Sequence, residues 1–187
     1  MKISSKDIKK INIFNSLSQD LCEKISNIIT IKKCGPNTKL YKEGDTGDTM
    51  FLVFQGQVEI SKNMAVKSID GFTISQKPII RLETTDPAPI ARPVSESTVT
   101  VSKIPAFGIG EFSLVLDNAI RTANVYSTTD LTYGVLKLDD FRHIVNNNHA
   151  DCSKIYFEIA KSAVNNLATA SQDISNLTQA FFYVLGR

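Results

Sequence analysis

The chain has 187 residues, 42% of them hydrophobic and 21% charged, and a formal net charge of +2. That length suits one sizeable domain with an appended helix. So small a charge gives no electrostatic case for a nucleic-acid or membrane partner, and no apolar run reaches signal-peptide or transmembrane length.

Residues 4–15 hold Ile8, Ile11, Ile13 and Phe14 among lysines and read as a short amphipathic helix running into a turn. Ser18 is placed to cap a second helix with Leu21, Ile25, Ile28 and Ile29 on one face, ending at or before Gly35-Pro36. The period then changes. Leu40-Tyr41 leads into the turn-rich run Glu43-Gly44-Asp45-Thr46-Gly47-Asp48, and Met50–Phe54 is an apolar strand. A turn at Gln55–Gln57 precedes the alternating Val58–Ser61. Ile69–Ile74 and Ile79–Leu82 are candidate strands, and Thr84–Ser97, with Pro87, Pro89 and Pro93, reads as an exposed loop. Strands resume at Val99–Val101, Ala123–Tyr126 and Tyr133–Leu138. Short strands between turns point to an antiparallel barrel or sandwich.

The last third is helical. Asp139 or Asp140 is the expected cap of a helix through Phe141, Ile144 and Val145, broken at Asn146–Asn148. A long helix is expected from about Asp151 to Leu185. Along it Tyr156, Ala160, Ala163, Leu167, Ala170, Ile174, Leu177, Phe181 and Val184 recur at spacings of four and three, a heptad seam. Nine positions in register exceed what a small barrel covers, so a second copy of the chain is expected on this face. The chain divides into a helical segment (1–35), a barrel (36–138) with an insert at about 63–97, and C-terminal helices (139–187).

Cys22, Cys34 and Cys152 are odd in number and lack ligand spacing, so they read as thiols in a reducing compartment and place the protein in the cytoplasm. His143 and His149 have no neighbouring ligand set. Neither a metal site nor a nucleophile–base arrangement is visible, and we expect no metal, no resident cofactor and no enzyme activity. The paired Asp45 and Asp48 fit a turn that satisfies backbone groups better than a catalytic dyad.

One segment carries chemistry. Phe107-Gly108-Ile109-Gly110-Glu111-Phe112-Ser113-Leu114 precedes Arg121-Thr122-Ala123. Glycine lets backbone approach a ligand, and a short helix from Glu111 would aim N–H groups at an anion. Arg121 can give a two-pronged contact to phosphate oxygens. Glu111 beside a phosphate makes sense if it accepts from a neutral donor such as a ribose hydroxyl. On its own the segment also fits a Gly-rich turn with a surface Glu and a surface Arg.

The wider pattern resembles the cyclic-nucleotide-binding domain family. Its phosphate-binding cassette, G-E-x-[AGS]-L followed by R-[AST]-A, is matched by Gly110–Leu114 and Arg121–Ala123. Its earlier signature is matched by Glu43–Asp48, Phe51–Phe54 and Gly56-Gln57-Val58. The resemblance implies a mainly β fold with flanking helices, a double-stranded β-helix jelly roll followed by a long dimerisation helix. It implies cAMP or cGMP as ligand. Glu111 would take the ribose 2′-OH, and Arg121 the cyclic phosphate. Ser113 and Ala123 would supply backbone N–H donors, and Gly110 close approach. Phe112 and Val101 would line the pocket, and Thr122 would reach a purine held syn. The long helix is similar to that of the family's activator branch at Leu167, Ser171, Asn176 and Leu177, which makes Thr169 and Ser171 the expected base contacts, Ser171 by reaching across a dimer. Two departures stand out: the long 63–97 connection, and Ile120 where the family usually has proline. The implied function is a dimeric sensor acting on a downstream protein. The alternatives are the effector half of a cAMP-responsive transcription regulator lacking its DNA-binding domain, and a non-binding relative acting as an interaction module.

Overall fold

In a computed structural model, the structure describes residues 2–69, 71–85 and 99–186. The chain opens with helix α1 (Ser5–Lys9), closed by a reciprocal Ser4–Asp7 capping box. A 3₁₀ turn at Asn12–Phe14 follows, so residues 4–15 form a short helix running into a turn. Helix α2 (Gln19–Ile28) starts where Ser18 accepts the Leu21 N–H at 3.3 Å, as its sequence predicts. It stops at Ile28, because Ile29 is already extended and the β-branched run beyond it enters strand β1 (Thr30–Cys34).

Two sheets face each other. In the first, β1 pairs with β11 (Leu131–Lys137), β11 with β4 (Thr49–Gln55), and β4 with β8 (Phe107–Ile109), all antiparallel. The second runs β2 (Lys39–Tyr41), β10 (Asn124–Ser127), β5 (Gln57–Ser68), β6 (Gly71–Thr84) and β7 (Thr100–Ile104), with β6 and β7 parallel. A two-residue ladder joins β3 (Thr46–Gly47) to β9 (Ala119–Ile120). Val53, Val58, Phe107, Ile109, Val125, Leu131 and Tyr133 fill the space between the sheets. Strand β4 is buried on both faces: Met50, Leu52 and Phe54 turn outward onto the helices, where they meet Phe14, Leu21, Ile25, Phe141, Ile155 and Ile159. That double burial explains why its sequence is one apolar run without alternation. The result is mainly β, a jelly roll with flanking helices and a long C-terminal helix.

The 63–97 connection begins as a single hairpin of β5 and β6, from Gln57↔Glu83 to Ser68↔Gly71. The two candidate strands at Ile69–Ile74 and Ile79–Leu82 are therefore one strand. Pro78 does not end it, because the register shifts there and Pro78 stands opposite Ser61. A bulge is where a strand tolerates a residue without an N–H. Of the expected loop Thr84–Ser97, residues 86–97 lie outside the described residues.

Helix α3 (Leu138–Val145) has Lys137 at its N-cap. Asp139 and Asp140 lie in its first turn, where carboxylates complement the helix dipole without capping it. Helix α4 (His149–Leu185) is 37 residues long, about 55 Å at 1.5 Å per residue. Its start is fixed by buried Asp151, which accepts the Ser18 N–H at 3.2 Å, the Ser18 hydroxyl, and Lys154 Nζ at 2.9 Å. Ile155 and Ile159 are the buried residues that follow; the seam residues Tyr156 and Ala160 face outward, and from Leu167 to Leu185 every position is exposed. No helix among the described residues is long and apolar enough to cross a membrane.

Candidate functional site

The segment after β8 turns sharply. Gly110 has φ +83°, in the left-handed region, and the chain then makes a 3₁₀ turn, Glu111–Leu114, shorter than the expected helix. The Ser113 N–H donates to the Gly110 carbonyl at 3.1 Å inside this turn. Arg121 follows β9 directly, and its backbone is clamped from both sides. Its N–H donates to the Asp45 carbonyl at 2.8 Å, and its carbonyl accepts the Gly44 N–H at 2.9 Å. The turn signature Glu43–Asp48 thus holds the cassette arginine in place. Asp45 shapes that turn by accepting the Lys42 N–H at 3.1 Å.

The Arg121 side chain is only 6% exposed. Nη1 donates to Ser113 Oγ at 2.9 Å; Nη2 donates to the Thr49 carbonyl at 2.7 Å and to Thr49 Oγ1 at 3.0 Å. The guanidinium lies 4.5 Å from the centre of the Tyr41 ring, within cation–π range. Two glycines make room for it. A Cβ on Gly47 would come within 2.2 Å of Arg121 Nε, and one on Gly110 within 2.3 Å of Nη1. Burial draws the Arg121 pKa down, opposed by Tyr41, Asp48 and Asp45. Burial likewise pushes the Tyr41 phenol up to about 12, against the pull of Arg121 and with a contribution from Glu111. None of the ion pairs among the described residues includes Arg121.

Arg121 faces a cavity of about 400 Å³, within the range of small-molecule sites. Gly110, Glu111, Phe112, Ser113, Thr122 and Ala123 all line it with Arg121, as do the apolar Ile60, Leu82 and Ile104. So the structure brings seven of the ten expected site residues together. It does not bring the other three. Val101 sits on β7, 43% exposed and outside the lining. Thr169 and Ser171 are exposed farther along α4, and the Thr169 hydroxyl donates back to the Asn165 carbonyl at 3.1 Å. In their place α4 contributes Ser162 and Asn166, and Ser162 Oγ donates to Glu111 Oε1 at 3.4 Å. These two continue a second stripe, Ile155–Ile159–Ser162–Asn166, displaced by one residue from the seam. The spacing four, three, four was present in the sequence, but its polar end hid it. Tyr41 and Thr49 were also missed, since nothing local ties them to Arg121.

The N-terminal domain of a transcriptional regulator from Streptomyces coelicolor A3(2) superposes with a TM-score of 0.62 at 18% identity, over 88% of this chain and 94% of that one. A cyclic nucleotide-binding domain from Methylobacillus flagellatus KT superposes with a TM-score of 0.61 at 17% identity, over 90% and 79%. The chain has the fold of a cyclic-nucleotide-binding domain. The catabolite activator protein of Thermus thermophilus gives a TM-score of 0.63 at 16% identity over 89% of this chain, which spans 63% of that protein. At the level of sequence, no protein-family model and no curated protein matches. Within the cyclic-nucleotide-binding domain fold, the cavity lies between the two sheets' rims, the cassette turn and α4.

Proposed function

We propose that this chain binds a cyclic nucleotide, cAMP or cGMP, and works as a regulatory module and not as an enzyme. One observation carries the reading: a buried guanidinium faces a ligand-sized cavity, donates to the neutral Ser113 and Thr49, lies over the rings of Tyr41 and Phe51, and forms no ion pair among the described residues. Burying a cation without a counter-ion is costly unless an anion completes the site. A cyclic phosphate is such an anion, singly charged and with two exocyclic oxygens that a planar guanidinium can contact in two-pronged fashion. Glu111, lining the same cavity, supplies the acceptor for a ribose 2′-OH, and the apolar Ile60, Leu82 and Ile104 supply a surface for the rest of the ligand.

Two copies pair through α4 in this reading. From Leu167 onward the seam residues are exposed, and the small Ala160, Ala163 and Ala170 allow close approach of two helices. The unpaired thiols Cys22, Cys34 and Cys152 fit the cytoplasm. A second reading, the effector half of a transcription regulator, is favoured by the match over 94% of the Streptomyces regulator's N-terminal domain. The two readings share the site and differ in output.

The deciding experiment is a thermal melt with cAMP, cGMP and AMP. A ligand that binds the native state raises Tm by mass action. A rise with at least one cyclic nucleotide, and none with AMP, is expected. No shift with either at millimolar concentration would discard the reading.

A further inference from the structure

The β5–β6 hairpin leaves the barrel. Strand β10 follows β5 only as far as Ser61, and β7 follows β6 only down to Ile80. Beyond them Lys62–Ser68 and Gly71–Lys77 pair as strands only with each other, so among the described residues no further strand covers either outer edge. Exposed apolar side chains crowd this free end: Phe72 is 82% and Ile74 73% exposed, and Met64 and Ile69 are exposed too. Lys62 stands directly opposite Lys77, and Lys67 opposite Phe72. None of the three lysines forms an ion pair among the described residues, and the sequence from 62 to 77 sets those three lysines against a single carboxylate, Asp70.

Each feature is unfavourable in isolation. Like charges directly opposite on a ribbon destabilise it. An open edge invites pairing, and proteins blunt such edges with lysine or proline while keeping large apolar groups off them. Here the lysines are present, but so are Phe72 and Ile74. A bilayer does not suit this end, because two rows of unpaired N–H and C=O groups would each cost several kcal/mol in hydrocarbon. A strand with carboxylates suits it on every count: it satisfies an edge, covers apolar side chains and neutralises the lysines.

We propose that the free end of this hairpin is a docking edge for an extended, acidic segment of a partner protein, which adds to it as a strand. This does not depend on the nucleotide reading. The root of the hairpin nevertheless touches the site. Asn63 N–H donates to Glu43 Oε2 at 2.8 Å, Glu43 N–H to Asn124 Oδ1 at 3.0 Å, and Asn124 Nδ2 to Asn63 Oδ1 at 3.2 Å. Asn124 is buried and directly follows the cassette residues Arg121–Ala123.

The test is selection from a display library of random twelve-residue peptides on the full chain, with counter-selection on Phe72→Ser/Ile74→Ser. Both positions are exposed, so this variant keeps the fold. Enriched peptides are expected to alternate Asp or Glu with β-branched or aromatic residues. A synthetic copy should bind at least tenfold more weakly to Lys62→Ser/Lys67→Ser/Lys77→Ser, and more weakly at high salt, with a melting temperature no lower than the wild type's. Three results would overturn the proposal: enrichment without carboxylates or equal on the variant; binding to phosphatidylserine vesicles that needs the lysines; or self-association that Phe72→Ser/Ile74→Ser abolishes.

Discussion

The hydroxyl of Ser162, on the C-terminal helix, donates to the carboxylate of Glu111 at 3.4 Å. These residues are 51 positions apart, and their contact is where the long helix meets the cassette. Ile155 and Ile159 seat the helix on the barrel up to this point, and from Leu167 to Leu185 every position is exposed. A ligand hydroxyl arriving at Glu111 therefore meets a group already in contact with the helix that leaves the domain.

Replacing Glu111 tests this junction. Hydrogen bonds to a charged acceptor contribute about 1.5–3 kcal/mol, so Glu111→Gln should weaken cyclic-nucleotide binding roughly tenfold or more. Binding of the 2′-deoxy analogue should hardly change. Hydrogen exchange should also quicken at the amides of Glu158–Asn166. Calorimetry with both nucleotides, and exchange on the unliganded protein, give the two readouts. Equal loss for the two nucleotides would remove Glu111 from the ribose.

Arg121 separates binding from stability. Its charge is desolvated, and its partners Ser113, Thr49 and Tyr41 are neutral. Truncating one member of a desolvated charge contact costs about 2–5 kcal/mol of binding, at least roughly 30-fold in affinity. Removing a buried cation that has no ion-pair partner also removes its desolvation cost, which offsets the hydrogen bonds lost from Ser113 and Thr49. Arg121→Met should therefore lose measurable binding by calorimetry while the unliganded protein melts no lower than the wild type. A large drop in Tm would mean the guanidinium is structural.

The free stretch of α4 makes a third test. Leu167 and Leu177 are 71% and 70% exposed, so neither belongs to the barrel's own core. Leu167→Glu/Leu177→Glu would place like charges across a helix pair, where large apolar side chains at seam positions are needed. Sedimentation should show a monomer in place of a dimer, with the barrel's melting transition kept. An unchanged molecular mass would remove the seam as a dimer contact.

The legible parts of the molecule are those whose cause is local. The turn Glu43–Asp48 and the cassette Gly110–Ala123 carry their geometry in their own glycines, carboxylates and spacing, and both fold where the sequence puts them. Ser18 caps its helix because capping needs only the next three residues. The hairpin was harder. Pro78 signals a break, and only the register against Ser61 makes room for it. The contacts of Arg121 were out of reach, because Thr49 lies 72 positions away and Tyr41 reaches the site through sheet pairing. On α4 the resemblance pointed to Thr169 and Ser171, while the stripe that packs on the barrel runs one residue before the apolar seam and ends in Ser162 and Asn166.

The start of α4 carries a pH signature. Burial tends to raise the Asp151 pKa, but the Ser18 hydroxyl and amide and Lys154 together outweigh it and bring it below the ordinary value of 3.8. A depressed carboxylate stabilises the fold above its unfolded pKa, and that stability fades as the pH falls through the folded value. The side chain is 9% exposed, so solvent screens the contacts little. Asp151→Asn keeps the shape but removes the charge, and should cost about 1–2 kcal/mol at pH 7. For a chain of this length that is a fall in Tm of roughly 2–8 °C. As the pH falls below the ordinary carboxylate value of 3.8, the unfolded chain protonates first and the gap between the two proteins should narrow from there downward. Melting curves of both at pH 7, 4 and 3 check it: a gap that stays constant across that range would mean that Asp151 acts by shape and not by charge.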